Sequence, residues 1–144
     1  MIRTATADDI AGIVAIEAAC FGSGAWSVGL VTDEVASERH LVLVTDDLQA
    51  YGAVSLAGED SDLDRLAVLP AARGTGLARE LLDALIDRAR DLGAGRMVLE
   101  VAADNVAATG LYESFGFDVI SRRTAYYPGG VDALIMEITI EEWR

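Results

Sequence analysis

A glutamate stands inside an apolar run, Val98-Leu99-Glu100-Val101, and a tyrosine, Tyr112, follows in the segment "GLYESFGF". Upstream, "RGTGLAR" (Arg73, Gly74, Thr75, Gly76, Leu77, Ala78, Arg79) sets two glycines where a long amphipathic run begins. Each of these can carry chemistry. A carboxylate in a central strand is costly unless it is paired or faces a cleft. Desolvation there would favour its protonated form and bring it toward the working range of a general base. The competing reading is an edge-strand glutamate that points at water. A tyrosine on a helix, taken alone, packs half-buried with its hydroxyl at the surface.

The glycines raise a sharper question, because glycine is a poor helix former. A phosphate-binding P-loop would need Gly-Lys-Ser or Gly-Lys-Thr, and the loop has no lysine. A dinucleotide fingerprint would need a third glycine where Arg79 stands, in a unit that opens the fold, whereas this loop lies mid-chain. Both nucleotide readings fail. Two others remain open. Free amides at a helix N-terminus, with the helix dipole behind them, bind a phosphate or diphosphate, and Arg73 could add a charge-assisted contact. Alternatively, the glycines serve a plain strand-to-helix turn.

The elements that must position these residues can be read along the chain. "IRTAT" is a first strand, and Asp8 or Asp9 caps a helix with Ile10, Ile13, Val14 and Ile16 on one stripe. "GSG" at residues 22–24 breaks the chain, and Ser27 caps a second helix running through Glu38. "HLVLVT" and "AYGAVSLAG" form strands joined by "DDLQ", and "DLDRLAVLP" is a further strand stopped by Pro70. The amphipathic helix then carries Leu77, Leu81, Leu82, Leu85, Ala89 and Leu92 on one side and ends at Gly93. "RMVLEVAA" is a strand, Asp104 and Asn105 cap a helix from Val106 to Phe115, and two strands close the chain around "PGG". This order predicts one α/β (α+β) domain spanning residues 1–144, built on one sheet. The strand–helix–strand unit from Leu63 to Val101 implies a parallel pair.

Two of these segments carry a resemblance. Arg73, Gly76 and Ala78 fit the arginine-x-x-glycine-x-glycine/alanine signature of the GNAT acetyltransferase superfamily. "LEVAADNVAATGLYESFGF", followed by "RRTAYYP" and "DALIMEI", resembles the bacterial RimI-type N-terminal protein acetyltransferases. The resemblance covers nearly the whole chain. It implies a GNAT fold: a single mixed, mostly antiparallel sheet with a central parallel pair, flanked by helices. It further implies that the amides of residues 74–79 hold the diphosphate of acetyl-CoA, with Leu66, Ala67 and Val68 pairing to the pantetheine arm. Asn105 also matches a cofactor-contacting position, although helix capping explains it equally well. Glu100 is then the base and Tyr112 the acid that protonates departing CoA, with a backbone N–H near Val68 stabilising the oxyanion. Trp26, Tyr126 and Tyr127 would border or clamp an acceptor peptide, or would simply pack.

The sequence departs from that family's pattern in places. Ala102 stands where many relatives carry arginine, Gly24 and Ala25 replace phenylalanine–proline, and Leu69 replaces a common aspartate. The first two bear on acceptor choice.

The resemblance implies as acceptor a protein N-terminus, with a ribosomal protein bearing N-terminal alanine as the leading substrate. Two alternatives stay open: an enzyme acting on a small-molecule amine or a lysine side chain, and a non-catalytic CoA-binding module. Composition adds bounds. The chain of 144 residues has 11 basic and 24 acidic side chains, a formal net charge of −13, which repels nucleic-acid phosphates and would steer cationic partners. One cysteine, Cys20, no signal-peptide core and no apolar run long enough to span a bilayer read as a cytoplasmic protein. No spacing resembles a metal site, so no metal is expected. The lone histidine, His40, reads as a surface residue at a strand start. The oligomeric state stays open, and a monomer is compatible with the sequence.

Overall fold

The computed structural model describes residues 1–140. Its strands are β1 (Ile2–Thr4), β2 (His40–Thr45), β3 (Ala50–Ala57), β4 (Asp60–Val68), β5 (Arg96–Ala102), β6 (Asp118–Tyr127) and β7 (Val131–Thr139). The helices are α1 (Ile10–Phe21), α2 (Val28–Ala36), α3 (Leu77–Asp91) and α4 (Val106–Phe115). The strands form one sheet in the order β1-β2-β3-β4-β5-β7-β6. Every neighbouring pair is antiparallel except β4–β5. The expected element order and parallel pair are both present.

Alternation along the strands sends side chains to two separate cores. One face packs on α3 and α4, where Leu81, Leu82, Leu85 and Ile86 are fully buried with Met97, Leu99, Val101, Tyr112 and Phe117. Each such aliphatic side chain stabilises the fold by about 1.5–3 kcal/mol. Helix α3 lies close on the sheet because Gly52 has no side chain: a Cβ there would sit 2.5 Å from Leu85 Cδ1. The opposite face packs on α1 and α2, through Ile13, Ile16, Val31, Val42, Val44, Tyr51, Ala53 and Ala67.

Several local expectations need correction. Asp9 does not cap α1 with its side chain. Its carboxylate turns back to accept the Thr6 N–H at 2.8 Å and the Arg3 guanidinium at 2.7 and 2.9 Å. That fork pulls its pKa down to about 2. Helix α2 begins as expected, with Ser27 Oγ accepting the Leu30 N–H at 3.1 Å, but it stops at Ala36, short of Glu38. Leu92 leaves the apolar stripe and is 60% exposed, because the helix has already ended and the chain turns at Gly93. Gly110 lies mid-α4 with open space beside it, and nothing in the structure explains it.

Candidate active site

The sheet opens where the glycine loop and Glu100 meet. Strands β4 and β5 pair only at Asp62–Val98 and Leu63–Leu99. Beyond that point β4 stays with β3 as far as Val68, and β5 stays with β7 as far as Ala102. A bulge drives the parting: Arg65 opposes Ala53 and Leu63 opposes Val54, so Asp64 is an extra residue that bends β4 away. Leu69 N–H donates to Gln49 O at 2.8 Å, which sets the main-chain phase. Ala67 therefore turns its peptide groups to β3, while Leu66 and Val68 turn theirs to the opening, where β5 no longer pairs with them. An extended chain of amide groups could lie between the strands and complete that ladder.

Immediately after β4, residues 70–72 form a single helical turn, and Gly74 and Gly76 take φ of +78° and +85°. The first hydrogen bond of α3 runs from Glu80 N–H to Gly76 O at 3.1 Å. The amides of Leu77, Ala78 and Arg79 precede it and have no helical carbonyl to reach. Thr75 Oγ1 donates to Ala72 O at 2.6 Å, bracing the loop. Arg79 is drawn to α4, donating to Ser114 Oγ at 3.0 Å and lying 5.3 Å from the Phe115 ring centre. Arg73 folds back on β4: its Nε donates to Val68 O at 3.0 Å and its Nη2 lies 3.7 Å from Cys20 Sγ. So Arg73 shapes the loop through Nε and Nη2, and the peptide N–H groups beside it are further donors for an anion. Asn105 caps α4, accepting the Ala108 N–H at 3.2 Å.

Those features fit a diphosphate with an amide-bearing arm: free amides behind a glycine turn, and beyond it the Leu66 peptide groups and Val68 N–H that β5 does not pair, the Val68 carbonyl being held by Arg73. Replacing Gly76 with alanine tests the fit. A left-handed φ costs an L-residue about 1–2 kcal/mol, and the new methyl group would project into the open space beside the loop. The acetyl-CoA KM is expected to rise about tenfold, ~1.4 kcal/mol, with kcat at saturation little changed. An unaltered KM would remove the loop from the cofactor site.

Glu100 and Tyr112 lie on opposite faces of the sheet. Tyr112, on α4, is 8% exposed within the α3–α4 core, edge-on to Phe117 at 5.7 Å. Burial pushes its pKa up to about 12, so the phenol holds its proton. Glu100 alternates with Leu99 and Val101 and so faces the α1–α2 side. Its strand lies inside the sheet, between β4 and β7. The side chain is about a third exposed (34%), with Arg123 Nη1 3.9 Å from Oε1. Tyr127 is near enough to Glu100 to feel its charge: burial first, then Glu100 and Tyr126, raise the phenol's pKa. Tyr126 and Tyr127 meet edge to face at 5.2 Å, and Arg123 lies over Tyr126 at 5.3 Å. Trp26 sits on the same side of the sheet, packed against the α1–α2 core.

Sequence reasoning missed Arg123 and, behind Trp26, the trio Glu17, Tyr51 and Arg65. A signal existed for Glu17, which lies one turn beyond Ile13 on the apolar stripe of α1 and is fully buried. It also missed that the fold brings ligand-type atoms of Glu34, His40 and Asp64 within 4.8 Å of one another. His40 is thus partly buried and pairs with Glu34 at 3.3 Å, not a simple surface residue.

Comparison with known proteins settles the family. Residues 13–117 match the model of the Acetyltransferase (GNAT) family. The chain belongs to the GNAT acetyltransferase family. It is 31% identical to a putative [ribosomal protein bS18]-alanine N-acetyltransferase of Bacillus subtilis, over 98% of this chain and 96% of that protein. Identity with the [ribosomal protein bS18]-alanine N-acetyltransferase of Salmonella typhimurium is 39%, over 70% of this acetyltransferase and 71% of that one. An uncharacterized protein of Mycobacterium leprae is 34% identical, and the chain spans 40% of its length. The crystal structure of the Escherichia coli ribosomal-protein-S18-alanine N-acetyltransferase superposes with a TM-score of 0.88 at 32% identity, covering 97% of this acetyltransferase and 93% of that chain. A Salmonella typhimurium putative acetyltransferase, solved with its cofactor acetyl-CoA, shares the fold at a TM-score of 0.85 and 24% identity, over 99% and 94% of the two chains. The chain is therefore an acyltransferase of the N-acetyltransferase kind. No helix among the described residues is long and apolar enough to cross a membrane.

Proposed function

We propose that this acetyltransferase moves the acetyl group of acetyl-CoA onto the α-amine of a protein N-terminus, with a ribosomal protein beginning in alanine as leading acceptor. The observation that supports this reading is the opening between β4 and β5, where Glu100 follows the last paired residue of β5; Tyr112, a protonated phenol in the core on the other face of the sheet, is the acid the reading calls for. The N–H groups of residues 74–79 would seat the diphosphate, and Leu66 to Val68 would hold the pantetheine arm, with Asn105 beside α4. Acetyl-CoA supplies an activated acyl carbon.

The protein's own groups manage the protons. As the amine nitrogen bonds to the acyl carbon, Glu100 takes the amine proton, directly or through a water. The Val68 N–H faces the opening and would stabilise charge on the carbonyl oxygen. The carbon–sulfur bond then breaks and Tyr112 gives the sulfur a proton. An α-amine asks little of its base: at pH 7 about a tenth is already neutral, against less than about one in a thousand for lysine. That suits a partly exposed glutamate. Trp26, Tyr126 and Tyr127 would flank the acceptor's first residues, and the net charge of −13 suits a basic ribosomal tail.

Incubation with acetyl-CoA and peptides differing at residue one, each with a blocked-N-terminus control, tests the reading. Acetylation of free N-termini, strongest for alanine, is expected. Turnover confined to blocked, lysine-bearing peptides or to small amines would reject it.

A further inference from the structure

Glu17 is buried at 0% exposure, and each bond of its carboxylate goes to a different part of the chain. Oε1 accepts the Trp26 N–H at 2.7 Å, in the connection between α1 and α2. Oε2 accepts the Tyr51 hydroxyl from β3 and the Arg65 Nε from β4 at 3.2 Å. Arg65 continues the chain of contacts. Its Nη2 donates to Gly24 O at 2.9 Å, and its guanidinium carbon lies 4.1 Å from the Phe21 ring centre and 4.7 Å from that of Trp26.

Burying a carboxylate this deeply is unfavourable unless its partners satisfy it, and a hydrophobic residue would fill the same stripe without that cost. The place of the network suggests what it achieves. Arg65 directly follows the bulged Asp64 and lies in the segment of β4 that has left β5. Its side chain shares a face with Ala67, the α1–α2 face, which is also the face Glu100 occupies across the opening. The turn it grips, Gly22-Ser23-Gly24, has almost no side chain with which to fix itself, and Gly22 takes a φ of +53°. Arg65 holds that turn by its backbone carbonyl and by the two aromatic rings that bracket it.

We infer that Arg65, held by Glu17, is a positioning residue that fixes the Phe21–Trp26 turn as one wall of the acceptor side, so that acceptor affinity and selectivity depend on it and the chemical step does not. This rests on the opening being the site of acetyl transfer. Arg65→Gln and Arg65→Lys in the full chain test it by two readouts, steady-state kinetics and amide hydrogen exchange.

For Arg65→Gln the KM of the best wild-type acceptor is expected to rise about tenfold, equivalent to ~1.4 kcal/mol. The kcat and the acetyl-CoA KM should stay within about threefold, and the Trp26 amide should lose exchange protection. Arg65→Lys keeps the charge without the planar fork and should recover only part of the KM. A purely stabilising role would lower the active fraction, and so the apparent kcat, with KM unmoved; that result overturns the inference. So does an unchanged exchange rate at Trp26, or a changed exchange rate with an unchanged KM. If Arg65→Gln fails to fold, the same KM split is required of Arg65→Lys. Should the wild type acetylate a lysine or a small amine instead, the N-terminal reading fails, and the KM for that amine still decides the role of Arg65.

Discussion

Replacing Tyr112 with phenylalanine is expected to lower kcat by about 100- to 1,000-fold, the range typical of losing a positioned general acid. The substitution removes one oxygen. The ring keeps its place in the α3–α4 core and its edge contact with Phe117, so the protein should melt close to the wild-type temperature. The chemistry of the leaving group explains the size of the effect. An expelled thiolate needs a partner as its charge appears, and the buried phenol, with its pKa pushed up to about 12, is protonated at every working pH. The high value does not disqualify it as a donor, since the desolvation that raises the phenol also raises the proton affinity of the sulfur. The sign follows directly. Tyr112 loses its proton only as the pH climbs toward 12, so no alkaline loss of rate below about pH 11 should trace to it. Full activity of Tyr112→Phe, measured as acetyl transfer at saturating substrates, would remove it as the acid.

Exchanging Glu100 for glutamine is expected to reduce kcat/KM for the acceptor by about 10- to 100-fold at pH 7, with acetyl-CoA affinity nearly unchanged. The defect should shrink as the pH rises. An α-amine has a pKa near 8, so by about pH 9.5 almost all of it is neutral and the base has little left to do. A full pH–rate profile of the variant beside the wild type checks this. A defect of constant size across the profile would mean that Glu100 takes the proton only as the nitrogen–carbon bond forms, or holds the amine without taking it, and no defect at any pH would reject it altogether. Because Arg123 lies 3.9 Å from the carboxylate, the profile also reports whether that cation competes with the incoming ammonium.

Much of this molecule could be read before any coordinates. The amphipathic spacing of Leu81, Leu82, Leu85 and Ala89 places α3. Ser27 and Asn105 announce the starts of α2 and α4, and the order of elements carries the sheet with its parallel pair. Such features depend on neighbours within one turn of helix or one hairpin, so residue type and spacing suffice. Likewise, the glycines at 74 and 76 have left-handed φ values that only a residue without Cβ adopts cheaply.

What the tertiary structure decided are relations between residues far apart in the chain. The opening exists because one extra residue, Asp64, bends β4 while β5 follows β7, and register between distant strands is invisible to local pattern. It likewise decided that the Glu100 side chain stays about a third exposed, that Arg73 grips Val68 O, and that Arg123 stands beside the carboxylate. Most of all, it joined Glu17 to Arg65 across 48 residues. Local propensity acts through neighbouring backbone, whereas the burial of a charge and its partners is set only once α1, β3 and β4 have closed on one another.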